Sequence, residues 1–162
     1  MTPSFSQVAS DLQLKPEQVG GALEIFAFDM LIQNVDRSCG KHGGKSNLLT
    51  DGTRFCMIDH EKAFSFLDLI GTSPLPWELR NQAWVSDHLL FGQLRRHARS
   101  GVSFDSFLAK LSQLSDDCLG HAVNGVPPAW DDGISISRMI EHIRVVRNNM
   151  PLFERGLREA LA

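Results

Sequence analysis

A short stretch in the middle of the chain limits its fold more than any other: Asn47-Leu48-Leu49-Thr50, then Asp51-Gly52, then Thr53-Arg54-Phe55-Cys56-Met57-Ile58. Two β-prone runs flank an Asp-Gly pair, the pair a type I′ hairpin turn asks for because both central positions need positive φ. The hairpin closes at Asp59-His60-Glu61, which leaves polar side chains where the second strand runs out. The rest reads as helix, so the expected fold is mainly α with one small β-hairpin.

Pro16 sits where a helix would begin, and Val19, Leu23, Phe26 and Met30 follow at helical spacing, which predicts a helix from about Pro16 to Gln33. A glycine-rich loop, Ser38 to Ser46, leads into the hairpin. Beyond it, Ser73-Pro74-Leu75-Pro76 breaks the chain and Trp77 to Arg99 reads as a helix or two. Ser103 is placed to cap a helix carrying Phe104, Phe107, Leu108, Leu111 and Leu114. After the turn Asn124-Gly125-Val126-Pro127-Pro128, a last helical stretch holds Met139, Ile140, Ile143 and Val146 up to Pro151, and Leu152, Leu157 and Leu161 resume an apolar face. No repeat or long linker divides the chain, so residues 1–162 are read as one domain.

Charge narrows the function classes. Sixteen Lys and Arg against nineteen Asp and Glu give a net charge of -3, which argues against a nucleic-acid or anionic-membrane binder, since both need a basic surplus. Three cysteines at irregular spacing make no disulfide framework and fit a reducing cytoplasm. The first residues lack a signal-peptide pattern. The most apolar run, Ala22 to Ile32, is interrupted by Glu24 and Asp29 and is too short to span a bilayer.

Three polar residues stand out by position: Asp36 after the first helix, Asn47 opening the first strand and Asp59 ending the second. Their oxygens could converge, and two carboxylates with an amide oxygen suit Mg²⁺, a hard ion that keeps water and phosphate in its other positions. Turn-capping and strand-ending roles explain the same residues equally simply.

The run Phe28-Asp29-Met30-Leu31-Ile32-Gln33-Asn34-Val35-Asp36-Arg37, then Asn47-Leu48-Leu49, then Ile58-Asp59-His60-Glu61-Lys62-Ala63-Phe64, resembles the catalytic segment of HipA-like kinases and, more distantly, of the phosphoinositide 3-kinase-like superfamily. The resemblance extends more weakly to Val126-Pro127-Pro128-Ala129-Trp130 and the last helix. It implies a C-terminal kinase lobe, with a catalytic segment at about 28–64 and a helical remainder at 77–162. Asp36 would be the catalytic aspartate that orients the attacking hydroxyl, and Asn47 and Asp59 would hold the Mg²⁺ that bridges the ATP phosphates. Arg37, beside Asp36, would contact phosphate or brace the loop, with bracing preferred. His60 belongs to the closing motif on the cofactor side, and Lys45 is positioned to approach a phosphate. The implied reaction is Mg²⁺/ATP-dependent phosphoryl transfer to a hydroxyl, taken as protein Ser or Thr.

Departures from the pattern matter too. Ten residues separate Asp36 from Asn47, where protein kinases have four. Only 35 residues precede Asp36, and none forms a V-A-I-K-like strand, so the expectation is a lobe whose N-terminal partner is absent or is a separate subunit. A non-catalytic pseudokinase or protein-binding module is the second reading. A lone lobe should bare an apolar face, with Phe26, Phe28, Phe55 and Phe64 as candidates, and self-association could cover it.

Other signals compete for the same residues. Gly40-Lys41-His42-Gly43-Gly44-Lys45-Ser46 lacks the first glycine of a P-loop, which falls on Cys39, and precedes a strand rather than a helix. Cys39-x-x-His42 with Cys56-x-x-x-His60 has zinc-compatible spacing, but Cys56 lies in an apolar strand and reads as a small buried hydrophobe. His88, His97, His121 and His142 show no carboxylate partner at telling spacing, Cys118 reads as helix packing, and Trp77, Trp84 and Trp130 read as core anchors. Arg144, Arg147, Arg155 and Arg158 read as a solvated helix face.

Overall fold

The computed structural model describes residues 4–9, 12–38, 45–68, 74–99, 101–130 and 133–162. The glycine-rich residues 39–44, including Lys41 and the Cys39/His42 half of the zinc pattern, and Ser73 lie outside the described residues.

At the centre is helix α1, Val19–Leu31, entered through a 3-10 turn at Pro16–Gln18. Ala22, Leu23, Ile25, Phe26, Ala27, Met30 and Leu31 are all buried, so the helix is apolar on nearly every side. A helix of that kind has to be covered all round. Strand β3 (Phe55–Met57) and helices α3 (Phe91–Ala98) and α4 (Asp105–Ser112) lie against it. Helices α5 (Asp116–Asn124), α6 (Ser135–Asn148) and α7 (Met150–Leu161) complete the helical part. No helix among the described residues is long and apolar enough to cross a membrane.

The expected hairpin forms from β2 (Leu48–Thr50) and β3, with Leu48 opposite Met57 and Thr50 opposite Phe55. It gains a third strand: β1, Ser6–Gln7, pairs antiparallel with β2, in a segment whose polar composition gave no strand signal. The turn also differs from the type I′ expectation. Only Gly52 has positive φ, at 90°, and Asp51 does not. The Asp51 carboxylate instead accepts the Arg54 and Thr53 N–H groups at 2.7 and 3.0 Å, making a four-residue loop of its own. Those N–H donors hold the Asp51 carboxyl down to about 2.

The stretch 77–99, read as a helix or two, forms two short helices. A 3-10 turn at Leu79–Asn81 leads to α2 (Ala83–Asp87), and after an extended residue at His88 the chain resumes as α3. The break has a tertiary cause: Ser38 bridges His88, and the Leu89 N–H donates to the Arg37 carbonyl at 2.9 Å. Pro151 separates α6 from α7 at almost no loss, because it occupies the first turn of α7, where its missing N–H has no helical partner.

Several expectations about burial are corrected. Phe26 is fully buried in the core and forms no part of a bared face, whereas Phe28, Phe55 and Phe64 are half-buried. Trp130 is 79% exposed, so it anchors nothing, and Cys56 and Cys118 are exposed rather than packed. Cys56 is exposed because alternate residues of β3 face outward. Arg144 and Arg147 are not simply solvated, since both bond Asp116 on α5, and Arg147 also reaches the Leu114 carbonyl at 2.6 Å.

One close approach gives a prediction. Gly156 on α7 faces the Trp77 backbone, and a Cβ there would run into the Trp77 carbonyl, a neighbour that no side-chain rotation can move. Gly156→Ala is expected to destabilise by about 1–3 kcal/mol through overpacking, despite alanine's better helix propensity. Urea denaturation checks this by a lowered midpoint at unchanged slope.

Candidate functional site

The turn that leaves α1 builds the site. Ile32 caps the helix, Gln33 takes φ 48°, and the Asn34 N–H returns to the Asp29 carbonyl at 2.9 Å, which reverses the chain and brings Asp36 back to the surface. Four non-glycine residues among those described have positive φ: Gln33, Asn47, Asp59 and Phe64. All fall between residues 33 and 64. Such conformations cost of order 1–3 kcal/mol each and persist where surrounding structure over-determines them, commonly at functional sites.

Asp36 and Asn47 meet. The Asn47 Nδ2 donates to Asp36 Oδ2 at 3.0 Å. Because an ionised carboxylate only accepts, this bond fixes the amide orientation and turns Asn47 Oδ1 away from Asp36. Lys45 is exposed, and its backbone is tied to the same loop: its N–H donates to the Asp36 carbonyl at 3.2 Å and its carbonyl accepts from Ser38 N–H at 3.1 Å. The two ends of the glycine-rich stretch therefore meet, and the ten-residue separation of Asp36 and Asn47 does not part them.

Asp59 follows the second strand at the same open end of the hairpin, one residue past Ile58, whose N–H donates to the Asn47 carbonyl at 3.0 Å. An Asp59 carboxylate oxygen accepts from Glu61 N–H at 3.3 Å, and its side chain makes no bond to Asp36 or Asn47. The three oxygens share one end of the sheet without converging as closely as the first two. No group of three His, Cys, Asp or Glu side chains suited to a metal occurs among the described residues.

Arg37 is fully buried beneath the loop. Its Nε bonds Asp29 Oδ2 at 2.6 Å, its Nη1 bonds the Asn47 carbonyl, and its Nη2 lies 3.2 Å from His60 Nε2. A guanidinium has donors only, so His60 Nε2 is the acceptor and the ring's proton sits on Nδ1. Phe28 meets the His60 ring edge-on at 5.9 Å.

Two residues the sequence reading passed over complete this arrangement. Asp29, in the last turn of α1 and fully buried, accepts from Arg37, from His88 Nε2 at 3.0 Å and from Asn34 Nδ2 at 3.1 Å. His88 therefore has the carboxylate partner that its sequence neighbourhood did not reveal, 59 residues away. Asn34 serves Asp29 at its own expense, since its buried Oδ1 has no partner. Burial alone would push the Asp29 carboxyl up, but the His88 hydrogen bond and the Arg37 guanidinium outweigh it and hold it below the usual carboxylate range. A sequence signal existed: a carboxylate on a helix that is apolar all round must be paired once buried. The partner's identity was not in that signal.

The family comparison agrees with this geometry. Residues 13–150 match the family model of HipA-like kinases. The chain belongs to the HipA-like kinase family. Comparison with curated proteins and with solved structures gives no match. As a HipA-like kinase chain it has a mainly helical body with a small antiparallel sheet, consistent with a kinase C-terminal lobe. The matched span contains Asp36, Arg37, Lys45, Asn47, Asp59 and His60.

Proposed function

We propose that this HipA-like kinase chain takes part in Mg²⁺/ATP-dependent phosphoryl transfer to a hydroxyl, with protein Ser or Thr as the acceptor. The observation that carries the reading is the Asp36–Asn47 contact, in which a half-buried carboxylate accepts from the Asn47 amide and leaves the amide oxygen uncommitted to Asp36. Asp36 would orient the acceptor hydroxyl and take its proton as the oxygen bonds to the γ-phosphorus and the bond to the ADP oxygen breaks.

Asn47 Oδ1 and the Asp59 carboxylate would hold Mg²⁺; both are hard oxygen donors, which fits that ion. Bound there, the ion neutralises phosphate charge. Lys45, exposed beside Asp36, adds a positive charge at the same edge. Arg37 is buried and acts as a brace, and His60, with Nε2 committed to Arg37, has only its Nδ1–H to offer a phosphate. The nucleobase would lie on the outward face of the sheet, where Cys56 is exposed, Ile58 is 40% exposed and Leu49 lies opposite Cys56.

Among the described residues before Asp36, the one strand is Ser6–Gln7, which carries no lysine and is paired into the sheet. The strand lysine that pairs with the phosphates and the loop that covers them are proposed to come from a separate lobe or subunit.

A thermal melt tests nucleotide binding directly. At a concentration 100 times its dissociation constant, a ligand binding only the folded state adds about 2.7 kcal/mol. That corresponds to a rise in Tm of about 5–10 °C for a chain of this size. The rise is expected with Mg²⁺ and ATP together and is expected to be lost in Asp59→Asn. No rise in the parent protein overturns the nucleotide reading.

A further inference from the structure

Resting on the phosphoryl-transfer reading, we propose that Asp29 and His88 are positioning residues of the site, acting through Arg37 to fix the Asn47 carbonyl and the His60 ring.

The guanidinium of Arg37 joins the central helix to the two segments that carry the candidate metal ligands. Nε goes to α1 through Asp29, Nη1 to the residue that opens β2, and Nη2 to His60, the neighbour of Asp59. The Asn47 carbonyl also receives the Ile58 N–H. One carbonyl thus ties the start of β2 to the end of β3, and Arg37 ties that carbonyl to the central helix. Moving Arg37 moves Asn47 and the approach to Asp59 together.

What holds Arg37 is Asp29 Oδ2, and what holds Asp29 Oδ2 is His88. Both Arg37 Nε and His88 Nε2 bond that same oxygen, at 2.6 and 3.0 Å. The state of His88 follows from its other nitrogen. Nδ1 accepts the Leu90 N–H at 3.2 Å, so it carries a lone pair and the ring proton is on Nε2. His88 is therefore a neutral donor to Asp29. The buried cluster then holds one negative charge, on Asp29, against one positive charge, on Arg37, with no third charge to strand in the core. Phe26 meets the His88 ring edge-on at 5.2 Å and limits its rotation. The break between α2 and α3 exists where His88 must leave helical geometry to reach Asp29.

The experiment pairs two variants with a spectrum of the parent protein. His88→Gln keeps a side-chain N–H for Asp29, and His88→Leu keeps volume but removes the donor. In His88→Leu, amide exchange at Ile58 is expected to quicken about tenfold, since its acceptor is released, and in His88→Gln it stays near the parent rate. In the presence of ATP, Mg²⁺ affinity is expected to fall about 10- to 100-fold in His88→Leu and to recover in His88→Gln, the size of effect seen when a ligand's support is removed. Phe107→Leu, a core change outside this network, should lower Tm and leave both readouts alone. Long-range imidazole ¹H–¹⁵N spectra of the parent protein should show His88 neutral with the proton on Nε2. A charged ring, a proton on Nδ1, or unchanged Ile58 exchange in His88→Leu overturns the proposal, and the spectrum decides even if that variant does not fold. If the parent binds no Mg²⁺ with ATP, the transfer reading fails, while the ring state and Ile58 exchange still decide the relay from His88 to Asn47.

Discussion

Replacing Asp36 with alanine is expected to lower phosphotransfer by about 100- to 10,000-fold, the range a positioned general base contributes. The fold should survive. Asp36 is half-buried at the surface, and its side chain receives one bond, from Asn47 Nδ2, which water can replace. The loop itself is held by backbone bonds at Ser38 and Lys45, which the substitution leaves in place. The measurement is transfer of labelled phosphate from ATP to a Ser- or Thr-containing acceptor, with any lobe that supplies the missing lysine present, alongside a thermal melt. A variant that keeps its Tm and loses transfer fits Asp36 as the base. Equal rates in parent and variant would remove Asp36 from the mechanism and with it the reading of the Asp36–Asn47 contact.

Arg37→Ala should show the opposite profile, a large loss of stability. The substitution leaves Asp29 buried without its charge partner, and breaking a buried ion pair from one side costs about 3–5 kcal/mol. For a chain of this size that is a fall in Tm of about 6–20 °C. Asp29→Leu combined with Arg37→Met, which removes both charges and keeps bulk, is expected to recover much of that loss, because the stranded charge and not the absent bond dominates. Recovery of stability without recovery of Mg²⁺ and nucleotide binding would separate the two roles of Arg37, as a counter-charge and as a strut for Asn47. Equal stability of Arg37→Ala and the parent in urea would contradict the buried pair.

Much of the fold could be read along the chain because its signals are local. The hairpin is written in residues 47–58, the central helix in the spacing of Leu23, Phe26 and Met30, and the α6/α7 break in Pro151. What failed were readings that assumed local pattern decides. Ser6–Gln7 has no strand pattern and becomes a strand because β2 offers a free edge. The Asp51 turn was assigned from a residue pair, but a carboxylate that bonds two N–H groups sets its shape. Residues 77–99 read as a helix or two, and it took the bonds from Ser38 and Arg37 to 88–89 to place the break.

The candidate site divides along the same line. Sequence by itself determined the family and which residues stand at the hairpin's open end, because Asp36, Asn47 and Asp59 fall at element boundaries fixed by local spacing. Tertiary structure alone decided how they are held. Asp29 and His88 are 59 residues apart, and no periodicity links an α1 carboxylate to an imidazole beyond the hairpin. Burial forced the link: a carboxylate taken out of water inside an apolar helix bundle must find donors, and the folded chain supplied Arg37, His88 and Asn34 from three directions.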